Sequence, residues 1–138
     1  MNRFASVVCF SCGTFYAVIG MLLFFAPAFF FQNIAPIGLY NEHYSVDLGS
    51  FILPLGIFLI WAGWLRRLAQ PILMVAALGS VLHLASHLRD GGHSHQAIAA
   101  DTLFAVVAGA LLGALYACRT QMFGDKTEVI SAGEMPQC

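Results

Sequence analysis

His83 and His87 stand four residues apart in SVLHLASHLRD (80–90), the spacing that puts two imidazoles on one face of a helix. Such a pair can chelate one ion, and a carboxylate from another helix can complete a His/Asp shell suited to Zn, Cu(II) or non-haem Fe rather than to Mg or Ca. His43 and Asp47 repeat the four-residue spacing in NEHYSVDLG (41–49), and Asp101 follows the next loop. The candidate metal site is therefore His43, Asp47, His83, His87 and Asp101, with Cu, Zn or Fe as the ion. Haem b is a further cofactor the histidines could hold, through His43 and either His83 or His87, although no arginine pair is evident for its propionates. The same residues could instead relay protons or meet a quinone. They could also simply neutralise one another, His43 with Asp47, or His87 with Asp90 and Asp101, locking the outer ends of the helices. Arg89, Asp90, His93 and His95 would lie over the site as a lid, with Glu42 joining from the preceding loop. The His-x-His of GGHSHQ (91–96) reads as a solvated loop rather than a site of its own.

The elements that must carry these residues are apolar. Of 138 residues, 59% are hydrophobic and 9% charged, and the mean hydropathy is +0.79. A soluble domain carries about 25% charged residues, so this composition predicts a membrane protein whose first environment is the lipid bilayer. Four apolar runs, from Phe4 to Phe31, Tyr44 to Leu65, Leu68 to Leu88 and Ala97 to Cys118, can each cross a hydrocarbon core about 30 Å thick. The expected fold is all-α: a single antiparallel bundle of four transmembrane helices over 1–118, followed by a loosely ordered cytoplasmic tail over 119–138. The first run is longer than the apolar part of a signal peptide and reads as a retained helix.

Cations fix the expected orientation, because positive flanks stay on the cytoplasmic side. Arg3, Arg66, Arg67, Arg119 and Lys126 fall on one side and only Arg89 on the other, which places both termini in the cytoplasm. Asp47, His83, His87 and Asp101 then share a depth within about one to two helical turns of the outer boundary, roughly 5 to 8 Å. The net charge of -1 excludes a nucleic-acid partner, which needs a basic surface.

Small and polar residues predict which faces turn inward. They are Cys9, Gly13, Tyr16 and Gly20 on the first helix, and His43, Asp47, Ser50 and Pro54 on the second. On the third they are Ala76, Gly79, Ser80, His83 and His87, with Leu73 among the bulk turned elsewhere. On the fourth, Asp101, Ala105, Gly109, Gly113 and Ala117 recur at steps of four. Pro27 should bend or end the first helix, Pro54 should kink the second, and Pro71 fits the first turn of the third. Cys9 and Cys12 form a CxxC, but one turn apart among apolar neighbours they read as packing residues. Cys118 beside Arg119 could alternatively carry a palmitoyl chain.

The stretch GMLLFFAP ending the first helix, NEHYSVDLG opening the second, and Pro71 with HLASHLRD closing the third resemble the small bacterial four-helix membrane proteins of the DoxX-like group, over residues 13 to 115. The resemblance implies a bacterial inner (cytoplasmic) membrane and a quinone-linked redox role like that of relatives in sulfur oxidation. The chain has no recognisable thiosulfate site, so the resemblance does not carry over a substrate. Two functions are expected: a metal-binding redox or accessory protein, or a non-catalytic small subunit of a larger membrane complex. In the second, FFAPAFFF (24–31) offers a partner or lipid surface, and a homo-oligomer is a further possible assembly.

Overall fold

The structure, a computed structural model, describes residues 3–36, 39–65, 68–90 and 95–131. The regular elements among the described residues are all helices: α1 (Arg3–Phe25), α2 (Pro27–Asn33), α3 (Glu42–Trp64), α4 (Ala69–Asp90) and α5 (His95–Ser131). Four segments are long and apolar enough to cross a membrane, Arg3–Phe25, Glu42–Trp64, Ala69–Arg89 and Ile98–Thr120. A span of 23 residues rises about 34 Å, slightly more than the hydrocarbon core.

The first apolar run is two helices rather than one. Ala26 donates its N–H to Leu22 O at 2.9 Å, closing α1, and then leaves helical geometry at φ -140 and ψ 52. Pro27 follows with no N–H to give and a φ already suited to a first helical turn, so it starts α2. None of the residues of α2 is buried. Asn41 caps α3 by accepting the N–H of Tyr44 at 3.1 Å, and Pro71 sits in the first turn of α4 as its missing donor allows. α5 continues to Ser131, past its apolar span and into the segment expected as a tail.

Helix α1 packs most extensively on α3, α4 packs on α5, and α1 with α5 and α3 with α4 join the two pairs. The α1–α3 seam is made of glycine. A Cβ built on Gly13 would stand 3.0 Å from Gly56 O, and one on Gly49 would stand 2.7 Å from the Phe24 nitrogen. Only a bare backbone allows that approach. The contacts run in opposite order along the two helices, Gly13 with Gly56 and Gly20 with Leu53 and Gly49.

The rest of the core is larger side chains. Leu59, Leu73 and Leu111 are fully buried, with Cys9, Ala76 and Ala114 beside them. At its centre the Tyr16 hydroxyl lies 2.6 Å from Ser80 Oγ, and Ser80 Oγ donates to Ala76 O at 2.6 Å. Ser80 has one proton to give, so Tyr16 is the donor and Ser80 the acceptor, and α1 is bonded to α4.

Three expected faces are corrected. On α5 the buried residues are Val107, Ala108, Leu111, Ala114 and Cys118, while Ala105 is exposed and a Cβ on Gly109 would meet nothing within 4 Å. The step-of-four ladder is thus rotated away from the core, because α5 meets its neighbours through Leu111 and Val107 rather than backbone to backbone. On α3 the inward face is Gly49, Gly56, Leu59 and Ala62, whereas Ser50 and Pro54 are exposed. On α4, Ala76 and Ser80 face inward as expected, but Gly79 is open and Leu73, expected elsewhere, is fully buried. The face expected for the first helix, Cys9, Gly13, Tyr16 and Gly20, is buried in full.

Candidate functional site

The last turn of α4 and the early turns of α5 meet through ionisable side chains. His87 lies in that last turn, where a cation is favoured by the exposed carbonyls of the helix end. Asp101 lies just inside the span of α5. His87 Nδ1 stands 3.2 Å from Asp101 Oδ1, and each side chain keeps only about a quarter of its surface exposed, 26% and 23%. Among the described residues Asp101 Oδ1 is shielded from solvent without an aligned hydrogen bond, so the contact is a close imidazole–carboxylate approach rather than a directed bond.

Two aromatic neighbours complete the cluster. Phe104, one turn after Asp101 on the same face of α5, presents its ring to both histidines, edge to face with His83 at 4.4 Å and 89° and tilted to His87 at 4.9 Å. The two imidazoles stand 4.8 Å apart at 67°. His83 is thereby held as an aromatic ring but remains exposed, rather than turned into the bundle as its place on the α4 stripe predicts. Ser86 Oγ donates to His83 O at 2.7 Å and Thr102 Oγ1 to Ile98 O at 2.8 Å, so the neighbouring hydroxyls are satisfied within their own helices.

His43 and Asp47 make a second, separate contact on α3, Nε2 to Oδ2 at 3.4 Å, with side chains 88% and 59% exposed. In water a pair so open contributes little. The structure thus brings His87 to Asp101, sets His83 against His87, and joins His43 to Asp47 apart from them. Among the described residues, no group of three or more His, Cys, Asp or Glu stands where it could hold one ion. Of the expected lid, His93 and the side chains of Asp90 and His95 lie outside the described residues.

Cys9, Cys12 and Cys118 are free thiols within the buried core, and Cys138 lies outside the described residues. Phe104 is the site residue that sequence reasoning omits. Its spacing of three from Asp101 could have found it, since residues three apart share a helical face. Comparison of the chain with protein-family models, curated proteins and solved structures gives no match.

Proposed function

We propose that the chain is a non-catalytic small subunit of a larger membrane complex, in which the His87–Asp101 pair fixes helix ends rather than performs chemistry. The observation that carries this reading is the contact between His87 and Asp101, which gives a half-buried carboxylate an imidazole partner on the adjacent helix. An ionisable group near the bilayer is costly by itself, and pairing offsets that cost. His43 and Asp47 make a like contact within one helix, but it joins no second helix and is too exposed to add much. The spans form an antiparallel bundle with both termini cytoplasmic, as the distribution of arginines favours and as the reversed contacts of α1 and α3 support. The membrane is the bacterial inner membrane, and the likeness to DoxX-like proteins belongs with this reading.

A second reading, a metal centre with a redox role, draws on His87, which stands beside the Asp101 carboxylate and against the ring of His83. It requires His83 to turn from its contact with Phe104 so that its nitrogen joins His87 and Asp101 on one ion. Elemental analysis of the purified full chain, repeated on His83→Ala and His87→Ala, separates the two. Absence of stoichiometric metal from a folded chain supports the subunit reading. One equivalent of Zn, Cu or Fe, lost in both variants, overturns it, and an absorbance spectrum shows haem directly.

A further inference from the structure

Helix α3 turns its polar residues away from the bundle. Gly49, Gly56, Leu59 and Ala62 are buried, whereas His43, Asp47, Ser50, Pro54, Ile57 and Trp61 line the opposite face and are exposed. These six follow one another at steps of four, three, four, three and four, the spacing of a heptad seam. The seam is polar inside a membrane span. That span starts at Glu42, so Asp47 lies about 7.5 Å and Ser50 about 12 Å below its first residue. Among the described residues the Asp47 carboxylate meets only His43, at 3.4 Å, and remains 59% exposed. Pro54, near mid-span, has no N–H, so the Ser50 carbonyl lacks the donor that a helix would otherwise give it on this face. Acyl chains satisfy none of these groups, and ionisable or unsatisfied polar groups within a span face protein rather than lipid. A protein surface must cover the seam.

The residues of the seam say what covers it, because they complement themselves. They supply donors in the His43 imidazole and the Ser50 hydroxyl, and acceptors in the Asp47 carboxylate and the Ser50 carbonyl. Copies of one chain cross the bilayer in the same sense and hold like residues at like depth. A two-fold axis along the membrane normal therefore sets His43 of each copy against Asp47 of the other, and each Ser50 hydroxyl against the other Ser50 carbonyl. The hydroxyl, which donates to Asp47 O at 2.6 Å within its own helix, has only to rotate. A period of 3.5 residues is the one that keeps two parallel helices in contact along such a seam, crossing at about 20°.

We infer that a second copy of the chain docks on this face, α3 against α3 in parallel, through His43, Asp47 and Ser50. The inference goes beyond the subunit reading and makes no use of the His87–Asp101 pair, so either can fail alone. Resonance energy transfer between donor- and acceptor-labelled full chains, reconstituted in phosphatidylcholine vesicles at increasing lipid dilution, tests it. Wild type should be dimeric. The double variant D47L/S50L exchanges the polar groups for side chains that lipid solvates well, and should raise the dimer dissociation constant by on the order of tenfold. Leu82→Ala, on the exposed face of α4, should leave that constant unchanged, and helix content by circular dichroism should be the same in all three. A monomeric wild type, a dimer as tight in D47L/S50L as in wild type, or one loosened equally by Leu82→Ala would overturn the inference. Should D47L/S50L fail to fold, Ile57→Cys in a Cys138→Ser chain decides, since Ile57 is exposed on the seam. A bis-maleimide should join two copies through that cysteine and not in the Cys138→Ser parent, and no added crosslink would overturn the inference.

Discussion

Gly20 of α1 rests on the backbone of Leu53 of α3, so close that a Cβ on Gly20 would fall 2.6 Å from the Leu53 Cα. The atom in the way is backbone, which cannot swing aside as a side chain can. The two helices would have to separate along a seam that also holds Gly13, Gly49 and Gly56. Gly20→Ala should therefore destabilise the bundle by about 1–3 kcal/mol, the usual range for overpacking a close contact. Gly109→Ala is the matched control, because a Cβ there meets nothing within 4 Å. It should be neutral or stabilise by up to about 1 kcal/mol through helix propensity. Reversible unfolding in mixed micelles compares the two, and equal costs would show that the seam has been misplaced.

Tyr16 and Ser80 make an asymmetric pair. Tyr16→Phe leaves Ser80 Oγ still donating to Ala76 O, so only the interhelical bond is lost, about 0.5–1.5 kcal/mol. Ser80→Ala leaves the Tyr16 hydroxyl buried without its acceptor and should cost more, about 1–3 kcal/mol. The same unfolding measurement should rank Ser80→Ala above Tyr16→Phe, and the opposite ranking would reassign donor and acceptor.

Leu73 and Leu82 differ in environment within one helix. Leu73 is fully buried and Leu82 is 61% exposed. Leu73→Ala opens a cavity in the core and should cost about 2–5 kcal/mol, whereas Leu82→Ala exchanges one lipid contact for another and should cost well under 1 kcal/mol. Comparable losses at both sites would contradict the inward turn of Leu73.

The four spans were legible because long apolar runs with few charges have one economical placement, in the bilayer. The break at Ala26 was legible because proline cannot donate the next hydrogen bond. Helix faces were harder to read. A membrane helix is apolar all round, so hydrophobic period carries little information, and small residues had to stand in for it. That worked for Cys9, Gly13, Tyr16 and Gly20. It failed for α5, where Ala105 and Gly109 face outward and Leu111 fills the core. The clue left unused was arithmetic: Gly13 and Gly20 are seven residues apart, and so are Gly49 and Gly56. Matching spacing on two helices marks a shared seam better than a dense ladder on one. At the site, mutual neutralisation of His43 with Asp47 and of His87 with Asp101 was among the readings the sequence allowed, and both contacts are present. Phe104 escaped notice because an aromatic ring carries no obvious chemistry until it is found against two imidazoles.

The most direct test of a structural role for the α4–α5 pair is a double-mutant cycle on the full chain in micelles, using His87→Gln, Asp101→Asn and the two combined. If the pair fixes the helix ends, the single changes should each destabilise and the double should cost less than their sum. The expected coupling is about 0.5–2 kcal/mol, the range found for polar contacts between membrane helices. Additive effects would show that His87 and Asp101 act separately and would contradict a clamp between α4 and α5.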